Sequence, residues 1–405
     1  MAKSPVEVWL WLLLVMQPFN TRTHYILKDC GGDAAEAGRR IRDGKYDFLS
    51  DAEKRSAESV RMKDVNELTE ICEKHSVRII TLDDEEYPPL LRGIKNPPIV
   101  LFCAGDLSGL DSTVTLSVVG ARNVSDYGVE VTHRIVEPLA ALDIAIISGL
   151  AVGTDAEAHK ACLAKNGRTI GVLGCGILVN YPAENAELKR EIIANGGALI
   201  SELLPYTKTF GAYFHTRNRI ISGLSLGTLV IEAGEKSGSL LTANHALEQE
   251  RNLFCVPPRD LFSSRYNGVI PFLRKGAIPV YSFNDILDEY AMFFSNEKYV
   301  KSVISKHENT AHELKPPRKP RGKTASADPK AEALMLTEEL LTSLEPREAE
   351  VLKLLAKSPA RIDDLIESIG AEYNELSETL INLEIAGYAE RSKDGVYSVI
   401  AASVT

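Results

Sequence analysis

The chain is predicted to fold as an α/β protein around a doubly wound, mostly parallel sheet, with a helical region at its start and a winged helix at its end. Three observations carry that expectation. From Thr113 onward, β-branched apolar runs of strand length alternate in a regular order with apolar patterns at helical spacing. The first of these runs, Thr113 to Val119, stops at Gly120 and is followed by polar Asn123, Ser125 and Asp126 at the start of a helical pattern. The tail from Leu340 shows three helical patterns and then a hairpin signal at Asp394-Gly395.

The elements follow in order. Residues 1 to 80 read as short helices at 5–16, 21–30, 33–42, 50–60 and 63–75, broken by Gly31-Gly32 and Gly44. The opening stretch, with Lys3 ahead of the apolar run Val8 to Val15, superficially resembles a signal peptide. Glu7 interrupts it, no small-residue cleavage site follows, and the run is too short to span a bilayer, so a buried first helix and no membrane partner are expected. A short strand at 77–81, a proline-punctuated connection from Tyr87 to Pro98 and a strand at 99–103 come next. Further strands are expected at 114–119, 144–148, 169–174, 198–202, 227–232, 252–256 and 278–281. Helices between and after them are expected near 127–142, 154–165, 184–195, 215–224, 238–250, 267–275 and 283–292.

This divides the chain into four expected domains: a helical domain at 1–80, the α/β domain at 81–297, a basic, Pro-rich linker at 298–335 and the winged helix at 336–405. The would-be recognition helix of the last carries Glu375, Glu378 and Glu384 with no Lys or Arg, which phosphates would repel, so a protein-interaction or self-packing role is expected there. Phe283, Ile286, Leu287 and Tyr290, with Phe293 and Phe294 after them, form an apolar candidate for a dimer surface that ordinary core packing explains as well.

A net charge of −10 and a pI near 5.5 argue against a protein that coats nucleic acid through global charge; any polyanion site must be a local pocket. The six cysteines show no CxxC and no Cys/His cluster, which reads as reduced thiols in a cytoplasmic protein. No P-loop motif exists, and Gly174-Cys-Gly176 is followed three residues later by Val179, so neither a P-loop ATPase nor a nicotinamide cofactor is expected.

Four clusters can carry chemistry. Arg122, just after Gly120 at the carboxyl edge of the first parallel strand, sits where ligands bind in such sheets and can clamp phosphate, or else pair with an acid. Arg217 and Arg219, two residues apart, cannot share a helix face, so at least one is expected in the helix's first turn facing the sheet edge; the competing reading pairs them with Glu202 or Glu232. Tyr213 and Phe214 beside them offer stacking faces. The turn Glu232 to Ser239, with Lys236, Ser237 and Ser239, forms either an anion site of amides and hydroxyls or a simple N-cap. Gly149 and Gly153 permit close approach of a ligand at a strand end, while Asp155 and His159 lack a third partner at metal spacing, so no metal is expected.

The runs Ser117-Val-Val-Gly-Ala-Arg122, Ile147-Ser-Gly-Leu-Ala-Val-Gly-Thr-Asp-Ala156, Gly174-Cys-Gly-Ile-Leu-Val-Asn-Tyr-Pro182, Arg217-Asn-Arg-Ile-Ile-Ser-Gly-Leu224 and Glu232-Ala-Gly-Glu-Lys-Ser-Gly-Ser-Leu240 together resemble the DNA-processing protein A (DprA/Smf) family, over about residues 80–285. The resemblance implies an extended Rossmann domain that binds single-stranded DNA, forms homodimers and loads the RecA recombinase on incoming DNA in natural transformation. It also implies a sterile-alpha-like (SAM-like) helical domain ahead of it and a winged helix behind. The family's phosphate-binding arginine falls on Arg122 and its arginine pair on Arg217 and Arg219. Tyr181, in the Tyr-Pro dipeptide, joins the stacking candidates. Ala183 stands where some members have a lysine, leaving Lys189 or Arg190 to supply that charge. His215-Thr216, Pro257-Pro258 and Gln17-Pro-Phe-Asn20 also depart from the family pattern.

The expected function is a non-enzymatic single-strand-binding recombination mediator. Two alternatives stand beside it: a Rossmann-type nucleotide-processing hydrolase with Glu232 as acid or base, whose Pro-Gly-Gly-x-Gly-Thr loop is absent, and an adaptor that touches no nucleic acid.

Overall fold

The structure, a computed structural model, describes residues 4–291, 346–369, 376, 379, 380, 383, 389–391 and 396–399. It forms two compact units, Met1–Leu314 and Lys315–Thr405. The expected linker, the acidic residues of the third tail helix, and Phe293 and Phe294 lie outside the described residues.

The first unit opens with five helices: α1 (Val6–Met16), α2 (Thr21–Asp29), α3 (Ala34–Arg42), α4 (Asp51–Ser59) and α5 (Met62–Lys74). Their starts are chemical. Asn20 accepts from the Arg22 amide, Asp33 accepts from the amides of Ala35 and Glu36, and Ser50 with Glu53 closes a reciprocal capping box. α1 is apolar on nearly every side, and the reason is its place: Trp9, Leu10, Leu12 and Leu13 are buried in one cluster with residues of the other helices and of the sheet, among them Val100, Phe102 and Leu199. Among the described residues no helix is long and apolar enough to cross a membrane.

Next come β1 (Arg78–Thr81), α6 (Pro89–Arg92) and β2 (Val100–Gly105). The alternating core follows: β3 (Thr115–Val119), α7 (Asp126–Ala140), β4 (Ala145–Ser148), α8 (Thr154–Leu163), β5 (Thr169–Val172), α9 (Ala186–Ala194) and β6 (Ala198–Ser201). The series ends with α10 (Gly211–Gly223), β7 (Gly227–Val230), α11 (Ser239–Glu248), β8 (Asn252–Cys255), α12 (Ile270–Arg274), β9 (Ile278–Pro279) and α13 (Phe283–Tyr290).

All nine strands form one sheet in the order β1-β2-β6-β5-β4-β3-β7-β8-β9. Strands β3 to β9 run parallel, while β2 pairs antiparallel with both β1 and β6. From β3 the chain walks outward through β4, β5 and β6, then returns through α10 to β7 on the other flank of β3. The topological switch therefore lies between β3 and β7, and the crevice at their carboxyl ends is where a ligand fits.

Both faces of the sheet are covered, so its strands are apolar on both sides. Leu116 and Val118 pack into a cluster with α7, α8 and α13, whereas Val119 packs into the opposite cluster with α10 and α11. Ser117 is tolerated in the buried centre because its hydroxyl donates to the Ile221 carbonyl at 2.6 Å. Ile286, Leu287 and Tyr290 of α13 sit in that first cluster, so these candidates for a dimer surface are core residues.

The second unit shows helices Pro346–Leu355 and Ile362–Ile369 and a small antiparallel sheet in which Val396–Val399 lies between Ala360–Arg361 and Ala389–Arg391. Val351, Leu352, Leu355, Leu365, Leu380 and Tyr397 share its apolar cluster. These are two of the three helices and the small sheet of the winged helix that the tail's pattern predicts.

Candidate functional site

An open cavity of about 950 Å³ occupies the switch point. Its walls are the turn after β3, the first half of α10, the turn from β7 into α11, and the loop between β8 and α12.

The turn after β3 is clamped from below. The Thr154 amide donates to the Ala121 carbonyl at 3.1 Å, and the start of α8 passes so close that a Cβ on Gly120 would lie 2.6 Å from the Thr154 hydroxyl oxygen. Gly153 takes φ +84°, and a Cβ there would strike the carbonyl oxygens of Ala121 and Arg122. The clamp leaves Arg122 exposed on the cavity wall. Among the described residues it has no ion-pair partner, and its guanidinium stands 5.7 Å from the centre of the Phe214 ring.

Glu232, two residues past β7, ties this turn to its neighbour. It accepts from the Ser125 amide at 2.9 Å and from the Ser125 hydroxyl at 2.6 Å, and Arg265 approaches it at 3.4 Å while donating to the Asn123 carbonyl at 2.8 Å. Both carboxylate oxygens are thus engaged and buried, which leaves Glu232 a brace between the β3 and β7 turns. The next residues line the cavity: exposed Lys236, then Ser237 and Ser239, whose hydroxyl oxygens lie 2.7 Å apart. Gly238 caps α11 without a side chain, so the positive end of that helix faces the cavity.

The arginine pair divides. α10 begins at Gly211, earlier than expected, because Phe210 enters it without a side-chain cap and so leaves no polar start signal. Neither Arg217 nor Arg219 is therefore in its first turn. Arg217 lines the cavity floor, buried, and donates to the carbonyls of Gly149, at 2.6 Å, and Val172; its Nε has no partner among the described residues. A Cβ on Gly149 would fall 2.5–2.6 Å from both Arg217 Nη atoms and from Asp155 Oδ2. Burial lowers Arg217 to about 10 and raises the neighbouring Asp155 to about 6. Arg219 faces the other way. Its Nη2 donates to both oxygens of buried Glu202, each at 2.7 Å, and burial raises the Glu202 carboxyl above its usual range.

Lys189 is also held elsewhere: it is 9% exposed, donates to the Tyr181 carbonyl at 2.7 Å, and is lowered from its ordinary pKa by burial. Arg190 pairs with Glu187 at 2.6 Å. Phe214 and Tyr181 stand together, ring centres 5.5 Å apart, and line a slot with Arg122, Gly149 and Gly174. Tyr213 points away from the cavity, its ring against Phe19 and Phe210 at 5.6 and 5.5 Å. His159 is a core residue, bonded to the Thr169 hydroxyl at 2.7 Å and lowered to about 3 by burial.

Sequence reasoning missed Arg265, His215 and Ser263, all on the cavity wall. Ser263 and Arg265 carry one signal in the sequence: they follow the carboxyl end of β8, on the same sheet edge as Arg122.

A family model described as DNA recombination-mediator protein A matches residues 78–291, and one described as DprA winged helix domain matches residues 336–395. The DNA processing protein DprA of Bacillus subtilis is 40% identical over 216 residues, 53% of this chain and 72% of its own length. Protein Smf of Escherichia coli is 37% identical over 291 residues, 70% of this chain and 74% of its own. The X-ray structure of DNA processing protein A from Streptococcus pneumoniae superposes with a TM-score of 0.62 at 28% identity, covering 71% of this chain and 99% of that one. With the matched model spanning the switch-point cavity and all seven parallel strands, the chain belongs to the DNA recombination-mediator protein A family.

Proposed function

We propose that the switch-point cavity grips the sugar-phosphate backbone of single-stranded DNA. On this reading the protein is a non-enzymatic recombination mediator that acts in the cytoplasm as a homodimer and loads the RecA recombinase on incoming DNA in natural transformation. The observation that carries the reading is that exposed Arg122, in no ion pair among the described residues, lines one open cavity with Lys236 and the α11 N-terminus, with Arg217 as a buried positive floor. Cations and helix dipole suit phosphate, while Phe214 and Tyr181 beside Arg122 suit an unpaired base. A recessed pocket in a chain of net charge −10 favours a flexible strand over a duplex, which needs a broad basic surface.

A titration of labelled single- and double-stranded oligonucleotides at several salt concentrations tests it. Preference for the single strand, weakening with salt and with Arg122→Ala, is the expected result. Equal affinity for both forms, or indifference to Arg122→Ala, would remove the cavity from the account. RecA loading is tested separately, by filament assembly on single strands already coated with a single-strand-binding protein, where the intact chain is expected to accelerate assembly.

A further inference from the structure

The loop between β8 and α12 presents Phe262 almost wholly to solvent, 97% exposed, with Leu261 beside it at 64%. A lone apolar side chain on a surface is ordinary; the place of this one is not. Its neighbours Ser263, Ser264 and Arg265 wall the cavity. The loop is pinned on both sides of the tip: the Arg259 guanidinium stands 5.4 Å from the Tyr127 ring centre, Arg265 donates to the Asn123 carbonyl at 2.8 Å, and Tyr266 reaches the Ser125 hydroxyl at 3.4 Å. The Phe262 amide donates to Asp260 Oδ1 at 2.9 Å, closing a local turn that holds the tip outward. An aromatic ring is thus held at the rim of the cavity, between two arginines, with its faces in water.

We propose that Phe262 is a base-stacking contact for the bound strand, receiving the base of a nucleotide outside the one whose phosphate lies in the cavity. The inference rests on the single-strand reading above and adds a second stacking position, on the loop after β8, to the Phe214 and Tyr181 side. Three features favour a nucleobase over a second copy of this chain: continuity with the cavity wall, the flanking Arg259 and Arg265, and a two-residue apolar tip, Leu261 and Phe262, in place of a broad apolar patch. An unpaired base has a free face for the ring, whereas a base inside a duplex is covered by its neighbours.

The test compares the intact protein with Phe262→Ala, Phe262→Trp and Arg122→Ala on two probes of equal length: an oligothymidylate and a strand of abasic deoxyribose-phosphate. Fluorescence anisotropy should show Phe262→Ala binding oligothymidylate about tenfold more weakly and the abasic strand unchanged. Phe262→Trp should retain affinity, and its indole emission should be quenched by oligothymidylate only, against the constant background of buried Trp9 and Trp11. If Phe262→Ala matches the intact protein on oligothymidylate while Arg122→Ala is weakened, this inference falls and the cavity reading stands. An equal loss on both probes, or a change of oligomeric state in place of a base-dependent loss, also overturns it. If the intact protein binds neither probe, the reading beneath it is what fails.

Discussion

Arg219 Nη2 lies 2.7 Å from each carboxylate oxygen of Glu202, and the two side chains are 12% and 6% exposed. The pair belongs to the clasp between α10 and the N-terminal helices: the Arg219 guanidinium stands 5.9 Å from the Phe19 ring centre, and the Phe19 backbone bonds to Glu202. Removing one member leaves the other charge buried and alone, which costs about 3 kcal/mol or more. Arg219→Ala is therefore expected to lower the melting temperature by several degrees while the folded protein keeps its affinity for single strands. A variant that melts like the parent but binds poorly would return Arg219 to the DNA site.

Arg122 has the opposite character, exposed and, among the described residues, in no ion pair. Arg122→Ala should leave thermal unfolding within about 0.5 kcal/mol of the parent. It should also weaken single-strand binding and reduce the slope of log affinity against log salt by about one. An unchanged salt slope would mean that the guanidinium touches no phosphate.

Gly149 is a close-packed point beneath the cavity. A Cβ there would sit 2.5–2.6 Å from the Arg217 guanidinium and Asp155, and Arg217 is fixed by its bonds to the Gly149 and Val172 carbonyls. Overpacking of this kind costs about 1–3 kcal/mol, so Gly149→Ala should lower stability and distort the floor enough to weaken binding. Crystals or chemical-shift maps with Arg217 undisturbed in that variant would contradict the account.

Asp155 should leave a pH signature in stability. Its folded pKa, about 6, lies above the ordinary 3.8, so the folded state holds the proton more tightly than the unfolded chain. The stability linked to this group is complete below its ordinary pKa and is lost as pH rises through about 6. Asn at this position has no proton to lose. Denaturant melts of Asp155→Asn and the parent should therefore shift in the variant's favour between about pH 3 and pH 7, by up to roughly 3 kcal/mol over the whole window. His215, Arg122 and Arg217, which face the same region, are common to both proteins. A difference that stays flat with pH would show that Asp155 ionises normally.

The chain's local chemistry determined the order and type of the elements apart from the short helix α6, which lies inside the proline-punctuated connection, because both signals are short-range. Strands such as Thr115–Val119 are β-branched runs ending in glycine, and helices such as Asp126–Ala140 begin at a side-chain cap, here Ser125 accepting from the Gly128 amide. Arg122 was legible for the same reason, being three residues past a strand end. The start of α10 is not legible in this way, because no polar cap marks Phe210.

Tertiary structure alone decided which charges are free. Arg217 and Arg219 lie two residues apart, about 200° around a helix, so the rotation of α10 sends one under the cavity and the other to Glu202. Lys189 meets the Tyr181 carbonyl, and Arg265 comes to Asn123 from a distant loop, through contacts between segments far apart in the chain. A cation's partner depends on where its helix or loop is packed against the rest of the sheet, and residue spacing within a single element carries no record of that.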